Sequence, residues 1–122
     1  MSGFLVDTNV ISEVLRPAPD AKVISWSQDV PKDLLFLSVV SMGELRKGLT
    51  VMPAGTRRTQ LEKSIEELMP RWFAVRILPM TQIIAERWGV LEGQRQLLGR
   101  PIQVPDAQIA ATALEHGLTL GT

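Results

Sequence analysis

Four short, largely apolar runs punctuate this chain, at Phe4 to Val6, Leu34 to Leu37, Val75 to Leu78 and Leu118 to Leu120; the first two are apolar throughout, and the other two each carry one polar residue, Arg76 and Thr119. A strand with one face in water alternates apolar and polar residues. A strand covered on both faces does not, so these runs predict a parallel sheet buried between layers of helix. Parallel neighbours cannot be joined by a tight hairpin and need crossover connections, which the intervening segments must supply as helices. The expected fold class is therefore α/β, with about four parallel strands flanked by helices on both faces.

The segments between the runs have the required periodicity. Val10, Ile11, Val14 and Leu15 follow the first run on one helical face, and Pro17 and Pro19 then break the chain. Asp20 opens a second short helix carrying Val23, Ile24 and Trp26, ended by the loop at Pro31 and Asp33. After Ser38, Met42, Leu45, Leu49 and Val51 predict a helix that stops at Pro53-Ala54-Gly55. Leu61, Ile65, Leu68 and Trp72 mark the next, and Ile84, Trp88 and Leu91 the one after it, closed by Gly99-Arg100-Pro101. Pro105 suits the first turn of a last helix, in which Ala107, Ala110, Ala111 and Leu114 repeat before the stop at Gly117. No repeat or linker interrupts the 122 residues, which read as a single domain spanning 1–122.

Composition narrows the chemistry. The chain has no Cys, which excludes disulfides and thiolate metal sites, and its single His excludes a ribonuclease that uses two imidazoles as acid and base. A metal would then be held by oxygen or by that single His, and carboxylates are the ligands to look for. Thirteen basic residues balance thirteen acidic ones, so a nucleic-acid substrate would have to be held by a local basic patch and not by net charge. The longest stretch free of charge and Pro, Leu34 to Gly43, is too short to span a bilayer, and Met1 to Val6 has no signal-peptide pattern. A soluble cytoplasmic protein without membrane contact is expected.

Three acids fall at one edge of the expected sheet, where ligands bind in open parallel folds. Asp7 ends the first strand, Glu44 lies in the first turns of the helix after the second, and Asp106 opens the helix before the fourth. They are 37 residues (44 minus 7) and 62 residues (106 minus 44) apart, so only the fold could assemble them. Grouped carboxylates repel one another unless a cation neutralises them, and Mg²⁺ or Mn²⁺ suits an all-oxygen set. Such a cation takes a phosphate oxygen and lowers the pKa of bound water. Each acid also has a structural reading: Asp7 as a helix N-cap, Glu44 as the last member of a Ser41-Met42-Gly43-Glu44 capping box, and Asp106 as a partner of a helix dipole.

Leu5-Val6-Asp7-Thr8-Asn9-Val10-Ile11-Ser12 resembles the opening motif of PIN-domain toxins of the VapC type. Leu37-Ser38-Val39-Val40-Ser41-Met42-Gly43-Glu44-Leu45 resembles their second motif, and Gly99-Arg100-Pro101-Ile102 with Pro105-Asp106-Ala107-Gln108-Ile109-Ala110-Ala111 and His116-Gly117-Leu118 their third. The turn at Pro53-Ala54-Gly55 followed by Arg57-Arg58 is similar to the FitB-like subgroup. The resemblance runs from about residue 3 onward. It implies the toxin of a type II toxin-antitoxin system, a Mg²⁺- or Mn²⁺-dependent endoribonuclease that inhibits translation. A homodimer is implied too, with a cognate antitoxin as partner, RNA as substrate and DNA met only through the antitoxin.

The same resemblance makes Asp7, Glu44 and Asp106 catalytic metal ligands, with Thr8, Asn9 and Ser38 as supporting groups that orient them. Family members usually carry a further Asp beyond the position of Leu120, so the 1–122 domain is expected to lack the last strand and the fourth acid. That departure keeps an alternative function open: a catalytically weak module acting by antitoxin binding and operator-DNA autoregulation. A Mg²⁺-dependent phosphatase ranks lower, because no nucleophilic Asp-x-Asp lies near the first strand. Arg46 and Lys47, beside Glu44, are the foremost RNA-binding candidates, and Arg57 and Arg58 could meet RNA, antitoxin or water. His116 is expected to favour its helix C-terminus, and Trp26, Trp72 and Trp88 to serve as core or dimer contacts.

Overall fold

A computed structural model describes residues 3–121. Met1, Ser2 and Thr122, the outermost residues of the expected domain, lie outside the described residues. The chain runs β1 (Phe4–Val6), α1 (Thr8–Val14), α2 (Ala21–Asp29), a single 3-10 turn (Lys32–Leu34), β2 (Leu35–Ser38), α3 (Val39–Val51), α4 (Thr56–Trp72), β3 (Ile77–Leu78), α5 (Gln82–Leu97), α6 (Val104–His116) and β4 (Thr119–Gly121). The four strands form one sheet in the order β3-β2-β1-β4, and every pairing is parallel. The α/β class and strand number match the expectation.

Strand order sets the layers. From β1 the chain steps to β2 and then β3 on one side, and it returns past β1 to place β4 on the other. Because such crossovers are right-handed, reversing the direction sends the connecting helices to the opposite face. The core divides accordingly. Val6, Leu35 and Leu37 pack with Val10, Ile11, Leu68, Trp72 and Phe73 on the face of α1 to α4. Leu5 packs with Ile109 and Ala113 of α6 on the other face, joined by Phe36, Leu78 and Leu118. Adjacent residues of β1 thus serve opposite layers, which is why its sequence is apolar without alternation.

Local chemistry starts and stops the helices where the sequence provides for it. Asp20 caps α2 by accepting from the Lys22 N–H at 2.7 Å, and Gly117 closes α6 in the left-handed conformation at φ 63°. Arg76 anchors the start of β3 by donating to the carbonyls of Leu35 (2.9 Å), Lys32 (2.7 Å) and Trp72 (3.1 Å). Lys32 lies over the Trp72 ring at 4.9 Å and donates to the Ser27 carbonyl. Burial, with Arg71 nearby, lowers its pKa below the ordinary lysine value.

One strand boundary and the burial of two helical residues differ from the sequence reading. Val75, expected to begin the third strand, is 93% exposed, because Ala74 adopts φ 49° and the Arg76 N–H turns back to the Phe73 carbonyl at 2.7 Å. Only Ile77 and Leu78 remain as strand. Met42 and Val51, expected on the buried face of α3, are 41% and 74% exposed. That helix buries Ser41 and Leu49 instead, so Met42 and Val51 lie one and two positions off the packed stripe. Among the described residues no helix is long and apolar enough to cross a membrane.

Candidate active site

All four strands point the same way, so the chain leaves β1 and β2 at one edge of the sheet. Asp7 is the residue after β1, at the point where the strand order reverses, and its N–H still pairs with the Gly121 carbonyl at 3.0 Å. Here helices on opposite faces diverge and leave a crevice. Both α3 and α6 begin at this edge, α6 because it runs antiparallel to the strand that follows it. Their N-termini bring partial positive charge to the same place.

Each acid can now be located. Asp7 is half-buried and does cap α1, its Oδ1 accepting the Asn9 N–H at 3.4 Å, a long bond that leaves most of the carboxylate's capacity unused. Glu44 is half-buried in the second turn of α3, and its Oε1 accepts the Thr8 hydroxyl at 2.7 Å across 36 residues of sequence. The capping-box reading of Glu44 is excluded, because the N-cap of α3 is Ser38, whose Oγ accepts the Val40 N–H at 3.0 Å, and Ser41 lies inside the helix. Asp106 is exposed in the first turn of α6, whose N-cap Gln103 makes no side-chain capping bond.

The structure therefore joins the neighbourhoods of Asp7 and Glu44 directly, through Thr8, and relates Asp106 to them through the packing of α3 against α6. The three do not form a ready cage: among the described residues no three acidic or imidazole side chains stand close enough to hold a metal. Among the described residues none of the three makes an ion pair either. Among the described residues the ion pairs are Arg16 with Glu13 (3.2 Å), Arg46 with Glu62 (2.6 Å) and Arg87 with Glu115 (2.6 Å). An all-oxygen donor set without a protein counter-ion, beside two helix N-termini, fits a hard divalent cation by its chemistry.

Of the supporting groups, Thr8 bonds Glu44 and Ser38 caps the helix that carries it, while Asn9 is exposed and contributes its backbone N–H to Asp7. An open groove of about 620 Å³ leads away from Thr8 and Glu44 between α1, α3 and α4, past Arg16, Arg57, Gln60 and Ser64. Arg46 and Lys47 do not line it, and Arg46 is committed to Glu62. The sequence had pointed to Arg46 and Lys47 because they adjoin Glu44 in the chain. Helical geometry turns residues two and three beyond Glu44 away from the groove, whereas Gly48, four beyond it, lines the wall. Arg16, not singled out from sequence, offers no signal there beyond its charge. A smaller cavity of about 340 Å³ under Phe4, Val23, Trp26 and Leu120 carries no carboxylate.

The tryptophans are structural. Trp72 is in the core, Trp26 meets the Phe4 ring edge-on at 5.5 Å, and Trp88 donates to Glu92 at 3.0 Å. His116 lies in the last turn of α6.

Comparison with known proteins agrees with this architecture. The PIN domain family profile matches residues 4–122. The chain is 36% identical to Toxin FitB of Neisseria gonorrhoeae over 118 residues, covering 97% of this chain and 85% of that protein. It is 39% identical over 119 residues to VapC ribonuclease Y4jK of Sinorhizobium fredii, covering 97% and 84%. Among solved structures, FitAcB from Neisseria gonorrhoeae superposes with a TM-score of 0.88 at 35% identity, over 98% of this chain and 86% of the matched one.

Proposed function

Because the chain belongs to the PIN-domain family, we propose that it is the toxin of a type II toxin-antitoxin pair: a Mg²⁺- or Mn²⁺-dependent endoribonuclease with Asp7, Glu44 and Asp106 as cation ligands. The observation that carries this reading is the Thr8 to Glu44 hydrogen bond. It ties a carboxylate that makes no ion pair among the described residues to the residue that follows Asp7, at the edge of an open groove of about 620 Å³. When bound, a divalent cation supplies charge to the scissile phosphate and makes water a better nucleophile. The chain's own part is placement. Asp7 is fixed by its role as N-cap of α1, Glu44 by the Thr8 hydroxyl, and Asp106 by the start of a helix whose dipole favours a carboxylate. Activity as a toxin follows from cutting RNA needed for translation, in the cytoplasm, with a cognate antitoxin as restraint and DNA reached through that antitoxin. A homodimer accords with the exposed Ile83, Val90 and Leu97, spaced seven apart along α5, which leave apolar surface for a second copy.

A ligand bound only by the folded chain raises its thermal midpoint by mass action. Millimolar Mn²⁺ should therefore raise the midpoint of the wild-type protein, and Asp7→Asn should reduce the shift. A midpoint indifferent to millimolar Mg²⁺ and Mn²⁺ alike in the folded wild type argues against a cation site.

The groove makes a separate prediction. Arg57→Ala should weaken RNA binding alike across sequences and flatten the dependence of log affinity on log salt by roughly 0.7, the value for one phosphate contact on a single strand. Arg46→Ala, which loses a surface pair with Glu62, should change the slope by less than half of that. If Arg46 moves the slope and Arg57 does not, RNA follows the other side of α3.

A further inference from the structure

Among the described residues four that carry a hydroxyl are buried, Ser27, Ser38, Ser41 and Thr112. Ser27 donates to the Ile24 carbonyl at 2.7 Å, Thr112 to the Gln108 carbonyl at 2.7 Å, and Ser38 caps α3. The exposed helical hydroxyls Thr50, Thr59 and Ser64 likewise donate one turn back. Ser41 is the exception: it is 0% exposed, and its Oγ has no hydrogen-bond partner among the described residues. The residue four before it, Leu37, belongs to β2, so the usual helical acceptor is missing.

An unpaired hydroxyl in the interior is unfavourable, and alanine would fill the same stripe without that cost. Its position supplies a reason for a hydroxyl. Ser41 lies one turn before Glu44 and Leu45, and that row continues through Gly48, Leu49 and Met52 along the wall of the groove. The helix that carries it packs against both α1, which follows Asp7, and α6, which begins at Asp106. Ser41 is therefore buried in the first turn of the helix that carries Glu44 and that packs against α1, which follows Asp7, and α6, which carries Asp106.

We propose that Ser41 is a positioning residue of the cation site, its hydroxyl bonding the acidic side chains, or a water held among them, once a cation draws them together. The inference rests on the reading of Asp7, Glu44 and Asp106 as cation ligands. Groups that orient metal ligands by hydrogen bonds typically change metal affinity by about 10–100-fold when removed. A serine that only packs changes none of it.

The test is calorimetric titration of the whole protein with Mn²⁺, alongside its thermal midpoint without metal, for wild type, Ser41→Ala and Ser41→Cys. Both variants should keep or slightly raise the metal-free midpoint, because an unsatisfied hydroxyl is gone, while Mn²⁺ binds about 10-fold more weakly to each. Wild-type affinity in both variants would overturn the role of Ser41 and leave the cation site standing. Failure of the wild type itself to bind Mn²⁺ would overturn the cation reading, and this inference with it.

Discussion

Glu44→Gln is expected to lower cation-dependent RNA cleavage by about 100-fold or more, some 2.7 kcal/mol of transition-state stabilisation, while folding stability changes by about 1 kcal/mol or less. The two parts of that result have separate causes. Gln keeps the length of the side chain and an oxygen able to accept the Thr8 hydroxyl, so the link between α1 and α3 survives. It removes the negative charge that a hard cation needs. A protein in which Glu44 served only to tie the two helices would be unaffected in activity, because Gln ties them equally well. Cleavage assays with chemical denaturation of the same preparations separate the cases, and a fully active Glu44→Gln protein would return this residue to a structural role.

Phe73→Ala is expected to be the most damaging change to the fold, costing about 3–5 kcal/mol, the range for truncating a buried aromatic side chain. Phe73 is 0% exposed and stands at the C-cap of α4, with its ring centroid 6.0 Å from that of Trp72, among Val6, Leu35 and Leu37 of the sheet. Little can collapse into the space it leaves, because strands lie on one side and a helix end on the other. A loss of this size is a large share of the roughly 5–15 kcal/mol by which domains are stable. Urea unfolding followed by circular dichroism measures it; a cost below about 1 kcal/mol would mean that the layer of α1 to α4 is much more loosely packed than described.

The fold was legible because its two central strands lack alternation. Phe4, Leu5 and Val6 point to different layers, and both layers are apolar, so uniform hydrophobicity was itself the signal of a covered parallel sheet. Helix ends were legible where a side chain makes them, as at Asp20 and Gly117. Val75 was not, since its apolar side chain reads as strand while Ala74 and Arg76 hold it in a turn. No pattern in the residues announces that Arg76 will spend its guanidinium on three backbone carbonyls.

Of the candidate site, the place of each residue relative to the strands was legible, and the contacts between them were not. Asp7, Glu44 and Asp106 were separable from the other acids by their position relative to strands, which sequence reports well. Sequence left Glu44 with two roles, because Ser41 to Glu44 has the spacing of a capping box; the cap at Ser38 and the bond from Thr8 removed the first. Contacts 36 residues apart depend on tertiary packing and carry no local trace. The same holds for the groove, whose wall takes Glu44, Leu45, Gly48 and Leu49 from one face of α3 and leaves out Arg46 and Lys47.

The central claim is that this chain hydrolyses RNA by cation-assisted attack of water, and the ends of the products test it most directly. Water attacking phosphorus from outside the chain needs no ribose 2′-hydroxyl, so fragments should carry a 5′-phosphate and a 3′-hydroxyl. Attack by the 2′-hydroxyl leaves a 2′,3′-cyclic phosphate instead. Purified protein incubated with RNA and Mg²⁺ or Mn²⁺ should yield fragments that ligate through their 5′-phosphates, and EDTA should stop their formation. Cyclic-phosphate ends, or cleavage that persists in EDTA, would contradict the account.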